Sequence, residues 1–227
     1  MKLFKKTEPT LAQIERGVGL LGSIKIVINV LYALLIFQTF LILPRPGDPE
    51  LENLTLAQMF SEHVTQLLMI AVGFILIVMY WIQFNRQLGN LIRSSSMHAT
   101  LAVVQMVCLM LYLYFVRIDM EYDGLKLALQ MESLFLALAG FIAAYSWRYA
   151  RRNNLTSDQI NDNEEMSIFY SLLPEPITVL FTLPFASFGP DIWTLAFLSI
   201  IPIGYILKLV RRKYETRISM QNNNKDE

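Results

Sequence analysis

The chain has 227 residues, of which 54% are hydrophobic and 17% are charged, and its formal net charge is zero at pH 7. A mean hydropathy of +0.42 argues against a soluble domain of this length, whose apolar runs would be shorter and broken by turns. The single cysteine, Cys108, excludes an intrachain disulfide and a cysteine metal cluster. The composition therefore indicates an integral membrane protein, for which we expect no nucleic-acid partner.

Six apolar segments are long enough to cross a bilayer, since a hydrocarbon core of about 30 Å takes about 20 residues of α-helix. They lie at 26–43, 64–84, 99–116, 125–149, 168–187 and 192–210. The prediction is an all-α integral membrane protein with six transmembrane helices. Residues 1–15 would form a tail, 16–213 the transmembrane domain and 214–227 a second tail.

Positive charges are concentrated at the amino end, after the second and fourth spans, and in the carboxyl tail. The first, third and fifth connections are acidic instead; their acids are Asp48, Glu50, Glu52, Glu62, Asp119, Glu121, Asp123 and Asp191. The positive-inside rule places the basic segments in the cytoplasm and the acidic connections outside. Both termini are therefore predicted to be cytoplasmic, in a multi-pass protein of the cell membrane.

Catalytic and metal-binding patterns are missing from the sequence. It contains no phosphate loop, no nucleophile elbow and no HExxH pattern. His63 and His98 stand alone near span ends without metal-ligand spacing, which favours structural roles. We expect no enzyme activity, no metal site and no cofactor.

The first span carries different side chains on different sides. At 100° per residue, one stripe contains Val27, Leu31, Leu34, Gln38 and Leu41. Lys25 and Asn29 project from the other side and are predicted to contact the chain's own helices. An apolar helix face is most commonly core or lipid-facing, but around a symmetry axis this stripe would form a constriction that gates ions by dewetting.

Charged residues inside spans are costly in lipid and mark candidate sites. The Lys25 side chain either extends to the lipid headgroups or forms an ion pair with an acid. Glu175 lies at a similar depth, and we expect it to pair with Lys25 or Arg148. Glu132 is either a cation-attracting group or a hydrogen-bonded structural acid, with the structural role favoured.

Other patterns predict packing and breaks. Prolines at 174, 176 and 184 should kink or break the fifth span, and small residues at 137, 140 and 144 predict close helix packing. The polar segment 153–165 is typical of a mobile linker.

Three segments resemble prokaryotic six-helix proteins related to the lysosomal potassium channel called transmembrane protein 175. They are VINVLYALLIFQTFLILPRP in the first span, YWIQFNRQLGNLIR at the end of the second and AYSWRYARR at the end of the fourth. The resemblance covers roughly residues 16–213. It implies a tetramer whose first helix lines a central pore and closes it with rings of bulky aliphatic side chains.

On this resemblance, Leu34 and Leu41 would be gate rings, Gln38 a polar ring between them, and Phe37 a brace beside the stripe. The family's Arg-x-x-x-Phe-Ser-Asp signature falls on Ser23 and Val27-Ile28-Asn29, so it is replaced here. Two family histidines after the second-span Trp are also replaced. The replacements suggest a rebuilt polar network, whose candidate members are Lys25, Asn29, Trp81, Asn85, Arg86 and Glu175.

The sequence therefore predicts a homotetrameric cation channel, with potassium as the permeant ion and the lipid bilayer as its surroundings. One alternative is a secondary transporter that uses Glu132 or Glu175. Another is a non-conducting membrane protein that serves in assembly or regulation.

Overall fold

The computed structural model describes residues 10–41, 55, 58, 64–122 and 125–223, and the fold over these residues is all-α. Six segments are long and apolar enough to cross a membrane: Leu11–Leu41, Ile70–Gly89, Ser96–Glu121, Lys126–Arg152, Asp162–Phe188 and Pro190–Tyr214. The predicted fold class, an all-α protein with six membrane-spanning segments, is confirmed. The cytoplasmic placement of both termini stays a prediction.

Four long helices form the first part of the chain: α1 (Leu11–Leu41), α2 (Val64–Gly89), α3 (Ser96–Glu121) and α4 (Lys126–Arg152). The fifth span contains α5 (Asp162–Ser171), α6 (Pro174–Thr182) and the 3-10 turn Leu183–Phe188. The sixth contains α7 (Pro190–Ala196), the 3-10 turn Phe197–Ser199 and α8 (Ile200–Asn223).

The first and last helices of the chain extend beyond the predicted spans. α1 begins at Leu11, inside the predicted tail 1–15, and α8 ends at Asn223, inside the predicted tail 214–227. The physical reason is that backbone hydrogen bonding continues wherever residues with good helix propensity follow, whether or not lipid surrounds them. Apolar runs therefore mark the part of a helix suited to lipid and not the helix ends.

Helix α4 occupies the centre of the protomer and packs against α3, α6 and the 3-10 turn that follows α6. Its small side chains Ala137, Gly140 and Ala144 are all buried. A Cβ atom at Gly140 would lie 2.7 Å from Pro176 Cβ and 2.8 Å from Tyr80 Oη. The predicted close packing along this face is therefore confirmed, because α6 and α2 approach α4 where only glycine fits.

The prolines divide the fifth span, as the sequence predicts. Pro174 is the first residue of α6, and Pro184 lies in the 3-10 turn. Side-chain hydroxyls take up carbonyls near the breaks: Ser171 Oγ donates to the Ile168 carbonyl and Thr178 Oγ1 to the Pro174 carbonyl, each at 2.7 Å. The Leu172 amide, which would pair with the Ile168 carbonyl in a continuous helix, donates to the Phe169 carbonyl instead, so the Ser171 hydroxyl takes its place.

The α2–α3 and α4–α5 connections are joined to each other at one end of the bundle. The Ile92 amide donates to the Leu155 carbonyl at 2.9 Å, and the Ser157 amide donates to the Asn90 carbonyl at 3.0 Å. Within the segment 153–165, α5 already begins at Asp162. The expectation of a mobile linker is therefore wrong, because this polar segment is held by a neighbouring connection.

Candidate functional site

Only one side of α1 is covered by the rest of the protomer. Its buried residues recur every three or four positions and face α2 and α3; they are Gly17, Leu21, Ile24, Ile28, Tyr32, Leu35 and Thr39. Of the most apolar window of this helix, 28% is buried. The remaining surface of α1 is available to lipid or to another copy of the chain.

The predicted stripe of α1 lies largely on this uncovered surface. We call its members Val27, Leu31, Leu34, Gln38 and Leu41 the α1 stripe. Leu34 is 52% exposed and Leu41 is 48% exposed, whereas Leu31 and Gln38 are half-buried. Phe37 is 60% exposed, and helix geometry directs it about 180° away from the buried Ile28. Phe37 therefore projects away from the protomer core.

Gln38 is the polar member of the α1 stripe and lies between Leu34 and Leu41. It lines a groove of about 340 Å³ together with Tyr114, Arg117 and Glu121 of α3. The Arg117 Nε atom is 2.8 Å from Glu121 Oε1, and both side chains are more than half exposed. The stripe therefore adjoins an exposed ion pair at Gln38, while its other members are apolar.

Hydrogen bonds join three of the six residues assigned to the polar network. Trp81 Nε1 donates to Asn29 Oδ1 at 3.0 Å, and Asn85 Nδ2 donates to the Trp81 carbonyl at 3.0 Å. In the part of the chain that the structure describes, Lys25 and Arg86 take part in no hydrogen bond or ion pair through their side chains. The network is thus a contact between α1 and α2.

Glu175 belongs to a separate contact on the other side of α2. It is 7% exposed, and its Oε1 atom accepts a hydrogen bond from Gln83 Nε2 at 3.1 Å. The predicted ion pair with Lys25 or Arg148 is absent from the described residues. Lys25 lies on α1, which packs on α2 and α3, and Arg148 is exposed on α4. The Gln83 amide bonds to the Glu175 carboxyl without bringing a second charge out of water.

Glu132 is buried in α4, with 4% of its surface exposed. It lines a cavity of about 350 Å³ that Asp119 of α3 and Trp193 of α7 also line. Sequence reasoning assigned Asp119 only to an acidic connection and assigned no role to Gln83. The signal for Gln83 was available, since it is an amide within an apolar span, whereas nothing local pointed Asp119 toward Glu132.

His98 has a structural environment at the start of α3. It is 2% exposed, and its Nδ1 atom lies 3.1 Å from Ser94 Oγ. The Ser95 hydroxyl accepts from the His98 backbone amide and caps the helix. His63 lies outside the described residues.

A solved structure shares this architecture. It is a variant of the potassium channel MtTMEM175 in complex with a Nanobody-MBP fusion protein, and it is similar to this chain with a TM-score of 0.59 at 15% sequence identity. The similarity covers 93% of this chain and 97% of that chain. No protein-family model and no curated protein matches the sequence. The chain therefore shares the fold of that solved structure.

Proposed function

We propose that this chain is a subunit of a potassium-permeable cation channel whose pore is lined by α1 from each copy. The observation that carries the proposal is the α1 stripe, in which Leu34 and Leu41 are exposed and which also holds an amide, the half-buried Gln38. A polar amide is poorly placed against lipid, so this face is better suited to protein or water. The shared fold with a potassium channel supports the same assignment.

The gate in this proposal consists of apolar rings. Leu34 and Leu41 are seven residues apart, which separates their rings by about 10 Å along a helix. A narrow pore lined by such side chains excludes water and therefore ions, and widening it restores a hydrated path. Gln38 lies between the rings and offers a carbonyl oxygen to a partly dehydrated cation.

The assembly that we propose is a homotetramer in the cell membrane, with both termini in the cytoplasm. The copy number comes from the family that the sequence resembles. Among the outward-facing acids expected from the sequence, Asp119, Glu121 and Asp191 lie in the described residues. Asp119 is buried inside the bundle, so the expectation of an outward-facing acid is wrong for Asp119, whereas Glu121 and Asp191 are exposed. Such charges would enrich cations near the pore entrance by long-range attraction.

The test is the flux of potassium and of sodium into proteoliposomes that contain the purified native chain or Leu34→Ala. We expect potassium-selective flux for the native chain and a higher flux for Leu34→Ala, because the smaller side chain widens and wets the constriction. Leu209→Ala is the matched control, since Leu209 is 45% exposed but lies on α8. The absence of flux from both native and Leu34→Ala oligomers would overturn the proposal.

A secondary transporter is the second candidate. Two observations favour it: Glu132 is buried at a cavity, and the fifth span is broken at Pro174. A transporter would show saturable flux that depends on a pH gradient and that Glu132→Gln abolishes. Leu34→Ala would leave such flux unchanged, which separates the two functions.

A further inference from the structure

A cavity inside the protomer lies apart from the α1 stripe. Its volume of about 350 Å³ lies in the range of small-molecule sites, which is about 300–1,000 Å³. Residues from α2, α3, α4, α6 and the sixth span line it, among them Leu76, Asp119, Glu132, Val179 and Trp193. Its wall is mostly apolar, with carboxyl groups on one side.

Glu132 presents an unsatisfied polar atom to this cavity. The side chain is 4% exposed, and its buried Oε1 atom has no hydrogen-bond partner. A buried carboxyl oxygen without a donor carries a desolvation cost. Asp119 lines the same cavity and is 4% exposed. It is close enough to Glu132 for the negative charges of the two carboxylates to repel each other. The described residues that line the cavity include no Lys, Arg or His.

Two other polar side chains of the wall, Ser133 and Trp193, already have hydrogen-bond partners. Ser133 Oγ accepts from Trp193 Nε1 at 2.8 Å and lies 3.2 Å from Thr182 Oγ1. Trp193 also packs edge-on against Phe197, with ring centroids 4.9 Å apart. A guest in the cavity would therefore meet aromatic and aliphatic carbon on most sides and an acceptor at Glu132.

We propose that this cavity binds a hydrophobic organic ammonium ion. Its N–H groups donate to the Glu132 carboxylate, and Asp119 adds negative potential. Its apolar body packs against Leu136, Val179 and Phe197, and nearby aromatic rings favour a cation further. A bare metal cation fits less well because the wall offers carbon where the ion would need several oxygen ligands.

The cavity reaches the surface of the chain between α2 and the sixth span. Val72 of α2 is 51% exposed and Ile200 of α8 is 37% exposed, and both belong to the cavity wall. A hydrophobic amine that partitions into the bilayer would therefore reach the cavity between α2 and the sixth span. The α1 stripe takes no part in this route.

The test is equilibrium dialysis of 1-adamantanamine against the full-length protein in phosphatidylcholine nanodiscs. We expect saturable binding of one amine per chain, whereas the neutral isostere 1-adamantanol should only partition into lipid. Glu132→Gln should weaken amine binding at least about tenfold, as expected for loss of a charged hydrogen bond. Glu121→Gln is the matched control, because Glu121 is an exposed acid outside the cavity wall.

Three results would overturn the proposal: no saturable amine binding, equal binding by Glu132→Gln, or saturable binding of 1-adamantanol with the same affinity. Thermal unfolding and oligomer size establish that Glu132→Gln is folded. If that variant does not assemble, Leu76→Phe narrows the half-buried wall from α2 and should also weaken amine binding. Unchanged binding by a folded Leu76→Phe counts against the cavity. Binding requires no ion flux, so this test is independent of the channel proposal.

Discussion

The indole of Trp81 donates a hydrogen bond to the Asn29 side chain across 3.0 Å and thereby joins α1 to α2. Trp81 is 39% exposed and Asn29 is also exposed, so the bond lies at the surface of the protomer. Asn85 holds the Trp81 carbonyl from one turn further along α2. This cluster of Asn29, Trp81 and Asn85 therefore helps to set the packing of α1 against α2.

The bond between Trp81 and Asn29 should be measurable as a coupling energy. We expect Trp81→Phe and Asn29→Leu to be non-additive, with a coupling of about 0.5–1.5 kcal/mol, as for other hydrogen bonds between membrane helices. The measurement is a double-mutant cycle on the free energy of unfolding in mixed micelles. Trp193→Phe combined with Asn29→Leu is the control pair and should be additive. Additive effects of Trp81→Phe and Asn29→Leu would argue against the bond.

The packing at Gly140 predicts a substitution with a large effect. Gly140→Ala places a methyl group against Pro176 and Tyr80, so α4, α6 and α2 must separate. We expect a loss of about 1–3 kcal/mol of stability from this overpacking. The measurement is the thermal unfolding midpoint of the purified protein.

Gly204→Ala is the matched control for Gly140→Ala. A Cβ atom at Gly204 meets nothing within 4 Å, and the residue lies inside α8. Alanine should be neutral or should stabilise the helix there by about 0.5–1 kcal/mol. If both variants shift the midpoint equally, then the close approach at Gly140 does not limit stability.

The sequence could predict the spans and their breaks because these depend on local properties. Apolar length located all six spans, and the missing amide hydrogens of Pro174 and Pro184 explain the divided fifth span. The ordered structure of the segment 153–165 could not be predicted from local properties. It depends on hydrogen bonds to residues 90–92, which are distant along the chain.

The same distinction between local properties and contacts of distant residues applies to the candidate sites. Helical periodicity alone identified the α1 stripe as one face, and the structure leaves Leu34 and Leu41 exposed. The partner of Glu175 depends on which helices become neighbours, so charge alone favoured Lys25 or Arg148 where the fold supplies Gln83. The cavity at Glu132 is a property of five packed segments and has no pattern in any one of them.

The hydrogen bond from Gln83 to Glu175 predicts an asymmetric response to substitution. Gln83→Leu leaves the 7% exposed carboxyl without its donor, which should cost about 1–3 kcal/mol. Glu175→Gln keeps an acceptor oxygen and removes a buried ionisable group, so we expect little or no loss. Both are measured as changes in the free energy of unfolding. A larger loss for Glu175→Gln than for Gln83→Leu would indicate that the charge itself is required.

Arg151 and Arg117 allow a comparison of ion pairs in different surroundings. Arg151 Nε is 2.7 Å from Glu165 Oε2, and these side chains are 27% and 25% exposed. The side chains of the Arg117–Glu121 pair are 66% and 52% exposed, so solvent screens it more. We expect Arg151→Ala to destabilise the protein by about 1 kcal/mol or more, and Arg117→Ala by less than about 0.5 kcal/mol. The measurement is the thermal unfolding of the two variants. Equal losses of stability would show that burial does not strengthen the Arg151–Glu165 pair.

The position of Gln38 gives the sharpest distinction between a pore face and a lipid-facing helix. Gln38→Leu would make the α1 stripe wholly apolar and lengthen the dry segment of the proposed pore. We expect potassium flux to fall roughly tenfold, equivalent to the loss of about one hydrogen bond to the passing ion. Gln38→Asn keeps the amide and should retain much of the flux. The control is Gln159→Leu, since Gln159 is an exposed amide in the α4–α5 connection. If Gln38→Leu conducts like the native chain, Gln38 serves the groove with Arg117 and Glu121 and the pore wall must be another face of α1.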